Sequence, residues 1–223
     1  MNELCVVFDI DDTLYLERDY VCSGFAALSP WVKDWLGVDG FAERCRRAHE
    51  SGVRGSVFNQ VLDECGVAPA SEILATLVGL YRNHTPEIAF CPDARDAITE
   101  ARSRWPVAVI TDGPAISQSR KAEALGLHSF ASPILLTELL GRGCGKPSPV
   151  AFRKVEQAIS SKRYVYVADN PAKDFHAPRQ LGWSSVRIRR PEGLHFAVEN
   201  GELMPDAELP DCAGLVRLLT DLR

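Results

Sequence analysis

Four short apolar runs, each closing on a polar or acidic cluster, constrain this chain more than any other feature. Leu4-Cys5-Val6-Val7-Phe8 ends in Asp9-Ile10-Asp11-Asp12-Thr13, and Val107-Ala108-Val109-Ile110 ends in Thr111-Asp112-Gly113. Tyr164-Val165-Tyr166-Val167-Ala168 ends in Asp169-Asn170-Pro171, and Ser185-Val186-Arg187-Ile188 runs into Arg189-Arg190-Pro191. Pro133-Ile134-Leu135-Leu136 is a weaker fifth run. Runs this short, without polar alternation, fit strands buried on both faces, as in a parallel sheet.

Between the runs, spacing predicts helices over 94–105 (Asp93 placed to cap it), 114–125, 149–159, 171–181 and 211–222. Strand and helix alternating in this way predict an α/β fold, a doubly wound parallel sheet. Residues 15–90 break the alternation. They show no strand pattern but helical stretches near 19–36, 40–50, 56–65 and 71–83, punctuated by glycines. That is too long for an ordinary connection. It predicts an α-helical domain at 15–90, inserted into a core made of 1–14 and 91–223.

The 223 residues can bury a core and carry such an insertion. A net charge of -5 argues against a general nucleic-acid binder. No stretch approaches the roughly 20 apolar residues of a membrane span. The first residues lack the basic start and apolar run of a signal peptide, so a cytoplasmic location is expected. Seven cysteines without a C-x-x-C pair are expected to be free thiols, buried or partly buried.

In open parallel sheets ligands bind outside the carboxyl ends of the strands. There this chain places Asp9, Asp11 and Thr13, then Thr111, Asp112 and Gly113, then Asp169, Asn170 and Asp174; Lys146 stands in Gly145-Lys146-Pro147 ahead of a helix. In order and spacing these resemble the four motifs of the haloacid dehalogenase superfamily. Asp9-Ile10-Asp11-Asp12-Thr13 matches its DxDxT, Thr111 its strand-end hydroxyl, Lys146 its lysine, and Asp169 with Asp174 its acidic pair.

The resemblance implies a Rossmann-like core with a helical cap, and a Mg²⁺-dependent phosphohydrolase that cleaves a small phosphate monoester, such as a nucleotide or sugar phosphate, through an aspartyl-phosphate. A carboxylate nucleophile divides hydrolysis into two easier steps, and a divalent cation offsets its repulsion from a dianionic ester. By resemblance, Asp9 attacks phosphorus. Asp11 protonates the leaving alcohol and later deprotonates water. Thr111 and Lys146 hold phosphoryl oxygens, and the backbone around Asp112 and Gly113 supplies further donors. Asp9, the Asp11 carbonyl and Asp169 hold the metal, with Asp174 supporting them. The expected partner is a small phosphate ester, with no nucleic-acid polymer and no membrane; monomer and dimer are both open.

Further substrate contacts are expected from Arg54, between glycines in the insertion, from Arg18, just past the first motif, and from His84, near the return to the core. Asp12 is given no catalytic role, since alternation turns it away from Asp9 and Asp11. Trp31 and Trp35 are expected to pack inside the helical bundle, and Arg187, Arg189 and Arg190 to be surface charges. Family dehalogenases lack the aspartate that Asp11 provides, which favours phosphoryl transfer. A Schiff-base phosphonate hydrolase needs a cap lysine, and the insertion holds only Lys33. A phosphomutase stays open. A phospho-accepting receiver domain also combines an acidic cluster, a Thr and a Lys-Pro, but it is shorter and carries no helical insertion.

Overall fold

The apolar runs become strands in the computed structural model of the chain, which describes residues 1–201 and 204–221. Among these residues, β1 (Asn2–Phe8), β2 (Val107–Thr111), β3 (Ile134–Leu136), β4 (Ser161–Ala168), β5 (Ser184–Ile188) and β6 (Ala207–Leu209) form one sheet in the order β3-β2-β1-β4-β5-β6. Every pairing is parallel; Val6 lies opposite Val107 on one side and Val165 on the other. The strand ends bearing Asp9, Thr111 and Asp169 therefore open on one edge. β6 has no counterpart in the expected pattern, since three residues, Ala-Glu-Leu, are too few to show a period.

The chain divides into two compact units, Met1–Arg18 with the chain from Ile88 onward, and Asp19–Glu87. The second is built on α1 (Glu17–Leu36), α2 (Phe41–Glu50), α3 (Val57–Glu64) and α4 (Ser71–Asn83). Its core gathers Phe25, Leu28, Val32, Phe41, Val61, Leu62 and Leu77. Gly24 is demanded there: a Cβ on it would collide with the Tyr81 ring. Trp31 and Trp35 stack at 6.5 Å, but Trp35 is 74% exposed, so it sits on the rim and not inside the bundle. None of the seven cysteines is in a disulfide; Cys22 departs from the expectation in being exposed.

The first unit adds α5 (Pro92–Arg104), α6 (Ala115–Ala124), α7 (Val150–Ala158), α8 (His176–Leu181) and α9 (Leu215–Asp221). Cys5 and Val7 of β1, Ala108 and Ile110 of β2 and Tyr166 of β4 pack against Ala151, Phe152 and Val155 of α7. Their alternates, such as Leu4, Val6 and Val109, are equally buried on the opposite face, which is why these strands read as continuous apolar runs. Three helix starts differ from expectation. α5 begins at Pro92, so Asp93 lies in the first turn and makes no cap. The 171–181 pattern becomes helical only at His176, because side chains of Asn170 and Asp174 take the preceding amides, Ala172 N–H at 2.9 Å and Asn170 N–H at 2.9 Å. The expected terminal helix is seen from Leu215; Leu222 lies outside the described residues. Among the described residues no helix is long and apolar enough to cross a membrane.

Candidate active site

Asp9 follows β1 directly, with its amide donating to Val167 O of β4 at 2.9 Å. Its Oδ1 lies 3.0 Å from Lys146 Nζ, and the same ammonium lies 2.8 Å from Asp174 Oδ1 and donates to the Tyr166 hydroxyl at 3.0 Å. Two carboxylates and one hydroxyl thus surround this buried ammonium. Burial works against the charge on Lys146, but Asp174 and Asp9 outweigh it and hold its pKa well above the usual lysine value. Asp174 is wholly buried; its other oxygen accepts from Asn170 N–H. The Tyr166 hydroxyl in turn donates to Ile110 O at 3.4 Å.

Carboxylate oxygens of Asp9, Asp169 and Asp174 lie within 4.8 Å of one another. Three buried acids face one buried ammonium, so positive charge is short. Burial raises the Asp169 carboxyl well above the usual range, with Asp174 and Asp9 adding to it. Burial likewise raises Asp9 to about 6, partly opposed by Lys146. An oxygen-lined group short of positive charge fits a hard divalent cation.

Asp11 is held by residues outside the expected motifs. Its Oδ1 accepts from Lys121 Nζ at 2.6 Å and from Tyr15 OH at 2.5 Å, and its Oδ2 from Gln118 Nε2 at 3.0 Å. Burial would raise the Asp11 carboxyl, but the Lys121 ammonium and these hydrogen bonds hold it below the usual value. Thr111 Oγ1 donates to Gln118 Oε1 at 2.9 Å, and Gln118 Nε2 also donates to Asp112 O at 2.9 Å. Gln118 and Lys121 are three apart on α6 and share one face. The signal for them in the sequence is the polar composition of that helix: it buries Ser117, Gln118, Lys121 and Ala122, while Ile116 is left 40% exposed. Asp12 turns away, at φ 49°, and accepts from Glu17 N–H and Leu194 N–H, each at 2.8 Å.

Asp112 braces the loops. Its carboxylate accepts from Thr137 Oγ1 at 2.5 Å and from the Lys146 amide at 3.1 Å, and Lys173 Nζ stands 3.4 Å away. Gly113, at φ 127°, takes a backbone conformation that favours glycine, and a Cβ there would come within 3.0 Å of Gln118 Nε2.

Two of the expected surface arginines are buried instead. Arg187 donates to Asp169 O at 3.1 Å, His195 O at 2.8 Å and Val198 O at 2.7 Å, and pairs with Glu208 at 3.3 Å. Arg190 donates to Thr13 O at 2.9 Å and pairs with Asp93 at 2.7 Å. On a strand covered on both faces an arginine has no surface to reach, so it must find carbonyls and acids inside. Arg189 is partly exposed, against Glu199 and Glu208.

Asp9, Asp11, Thr111, Asp112, Gly113, Lys146, Asp169 and Asp174 are thus gathered at one sheet edge. Arg18 is exposed in the first turn of α1. Arg54 and His84 belong to the other unit. Arg54 donates to His49 O and Val53 O. His84 is buried, with Nδ1 2.6 Å from Tyr81 O and Nε2 3.1 Å from Ser23 Oγ.

Residues 4–182 match the family of haloacid dehalogenase-like hydrolases. The chain is similar to a glyceraldehyde 3-phosphate phosphatase of Methanopyrus kandleri, 27% identical over 97% of each chain. It is also similar to the one of Methanocaldococcus jannaschii, 26% identical over 88% of this chain and 89% of that one. Among solved structures it shares its fold with a magnesium-bound HAD-hydrolase of Bacillus subtilis (TM-score 0.70, 17% identity, 98% and 99% covered). A 2-haloacid dehalogenase of Pseudomonas syringae has the same fold (TM-score 0.67, 23% identity, 99% of each chain).

Proposed function

The chain belongs to the haloacid dehalogenase-like hydrolase family, and from that premise we propose that it is a phosphohydrolase acting on a small phosphate monoester, with Asp9 as nucleophile. The observation that carries this reading is the setting of Asp9: a buried carboxylate at a strand end, 3.0 Å from Lys146, beside Asp169 and Asp174, with a second carboxylate two residues on at Asp11. An Asp9 oxygen bonds to phosphorus, the ester P–O bond breaks, and the leaving oxygen takes a proton from Asp11. Water then bonds to phosphorus, gives a proton to Asp11, and the bond to Asp9 breaks, releasing inorganic phosphate.

Lys146 offsets the negative charge that gathers on the phosphoryl group. The backbone N–H groups about Asp112 and Gly113 hold its oxygens, since the one hydroxyl proton of Thr111 is given to Gln118. Mg²⁺, held by Asp9, Asp169 and the Asp11 carbonyl and supported by Asp174, would supply the positive charge these acids lack and lessen their repulsion of the substrate.

Asp11 favours phosphate over halide chemistry, since a halide departs without a proton and an alcohol does not. The two phosphatase relatives, matched over most of their length, favour the same choice and make three-carbon phosphates the first substrates to try. The deciding experiment is phosphate release from glyceraldehyde 3-phosphate, glycerol phosphate, nucleoside monophosphates and sugar phosphates with Mg²⁺, beside halide release from 2-chloropropionate. Steady phosphate release supports the reading. Halide release alone, or one phosphorylation per chain with no turnover, sinks it.

A further inference from the structure

We propose that Lys121, Gln118 and Tyr15 are positioning residues that clamp the Asp11 carboxylate for proton transfer, an inference that rests on the phosphohydrolase reading of Asp9 and Asp11. A carboxylate held through one oxygen still rotates about its Cβ–Cγ bond. Asp11 is held through both, by Lys121 and Tyr15 on Oδ1 and by Gln118 on Oδ2. The clamp is itself held. Gln118 accepts from Thr111 and donates to Asp112 O, which fixes which end of its amide faces Asp11. Lys121 is 3% exposed, and an ammonium is buried that far only where a partner is built for it.

Folding alone gives α6 no reason for this arrangement. Turning Ile116 inward would bury apolar surface, yet the buried stripe carries Gln118 and Lys121. The reaction supplies the reason. These donors hold the resting carboxylate ionised; Oδ1 spends both lone pairs on Lys121 and Tyr15 and Oδ2 spends one on Gln118, so the proton that Asp11 takes up for the first step has one place left, on Oδ2. From there it passes to the leaving oxygen when the ester bond breaks, and the water that releases Asp9 returns one. Both transfers happen at one place, so a single fixed orientation serves both, and misplacement by about 1 Å costs up to a hundredfold.

The test compares two leaving groups in the full chain with Mg²⁺. p-Nitrophenolate departs without a proton, whereas the alkoxide of glycerol phosphate needs one. Rapid-quench measurement of the first step gives an aryl-to-alkyl rate ratio for wild type, Lys121→Met, Gln118→Met and Tyr15→Phe. The ratio should rise about tenfold or more in the variants, with KM changed by less than about threefold. p-Nitrophenol should appear as a burst matching the enzyme concentration, followed by a slow phase in which the aspartyl-phosphate waits for its water. A ratio that rises less than this, including equal losses on both esters, overturns the clamp. Should Lys121→Met lose its fold by circular dichroism, Tyr15→Phe decides alone, since it removes one hydroxyl. A wild-type chain that releases phosphate from neither these esters nor the wider panel sinks the parent reading instead.

Discussion

The Arg187 guanidinium donates to the backbone carbonyl of Asp169 at 3.1 Å, so an arginine on β5 holds in place the end of β4 that carries an acid of the site. The same side chain ties down His195 and Val198 through their carbonyls, at 2.8 and 2.7 Å. Replacing it with methionine keeps the bulk and leaves these carbonyls without a donor. Arg187→Met should lower unfolding free energy by about 3 kcal/mol in urea titrations. A change under about 0.5 kcal/mol would show that the guanidinium gives no support.

Asp9→Asn keeps the shape of the side chain and removes its nucleophilicity. Phosphate release should fall roughly a thousandfold or more, with circular dichroism and melting behaviour close to wild type. Turnover within tenfold of wild type would mean that another group attacks phosphorus.

Divalent metal should bind the folded chain and raise its melting temperature even without substrate. At a hundred times the dissociation constant the gain is about 2.7 kcal/mol. Asp169→Ala should abolish the Mg²⁺-dependent shift, and EDTA should stop hydrolysis reversibly. A melting temperature indifferent to Mg²⁺ and to EDTA would remove the metal from the scheme.

Asp93 offers a test in acid. Burial would raise its carboxyl, but Arg190 and the Cys212 amide outweigh it and hold it below the usual value. A carboxyl lowered by folding contributes stability above its unfolded pKa and loses it as pH falls through the folded value. The stability gap between wild type and Asp93→Asn should therefore be constant near neutrality and narrow as pH falls from about 5 to about 2. A gap flat across that range would mean that the Arg190 pairing does not shift the acid.

The sheet and its acidic edge are legible from sequence because both are local patterns: β1, β2, β4 and β5 are apolar runs, and the acids follow them within a few residues. Some partners of those acids are local, as Tyr15 is to Asp11, but the charged ones are not. Lys121 lies 110 residues from Asp11, and Tyr166 lies 20 from Lys146, so no window of sequence shows either contact. The surface position expected of Arg187 fails for a different reason. Charge favours exposure, but Val186 and Ile188 on either side already mark a strand covered on both faces, and that rule prevails. Asp93 misleads as a cap because the helix starts at Pro92, two residues sooner than the pattern suggests.

Where the chain leaves the core and where it comes back, Cys91 N–H donates to Leu14 O at 2.9 Å, so the core is stitched shut at the stem of the insertion. The acids, the lysines and the clamp around Asp11 are all written in residues outside 19–87. Mutations can therefore accumulate in the helical cassette without touching the reactive carboxylates, and lineages can diversify the one while inheriting the other unchanged.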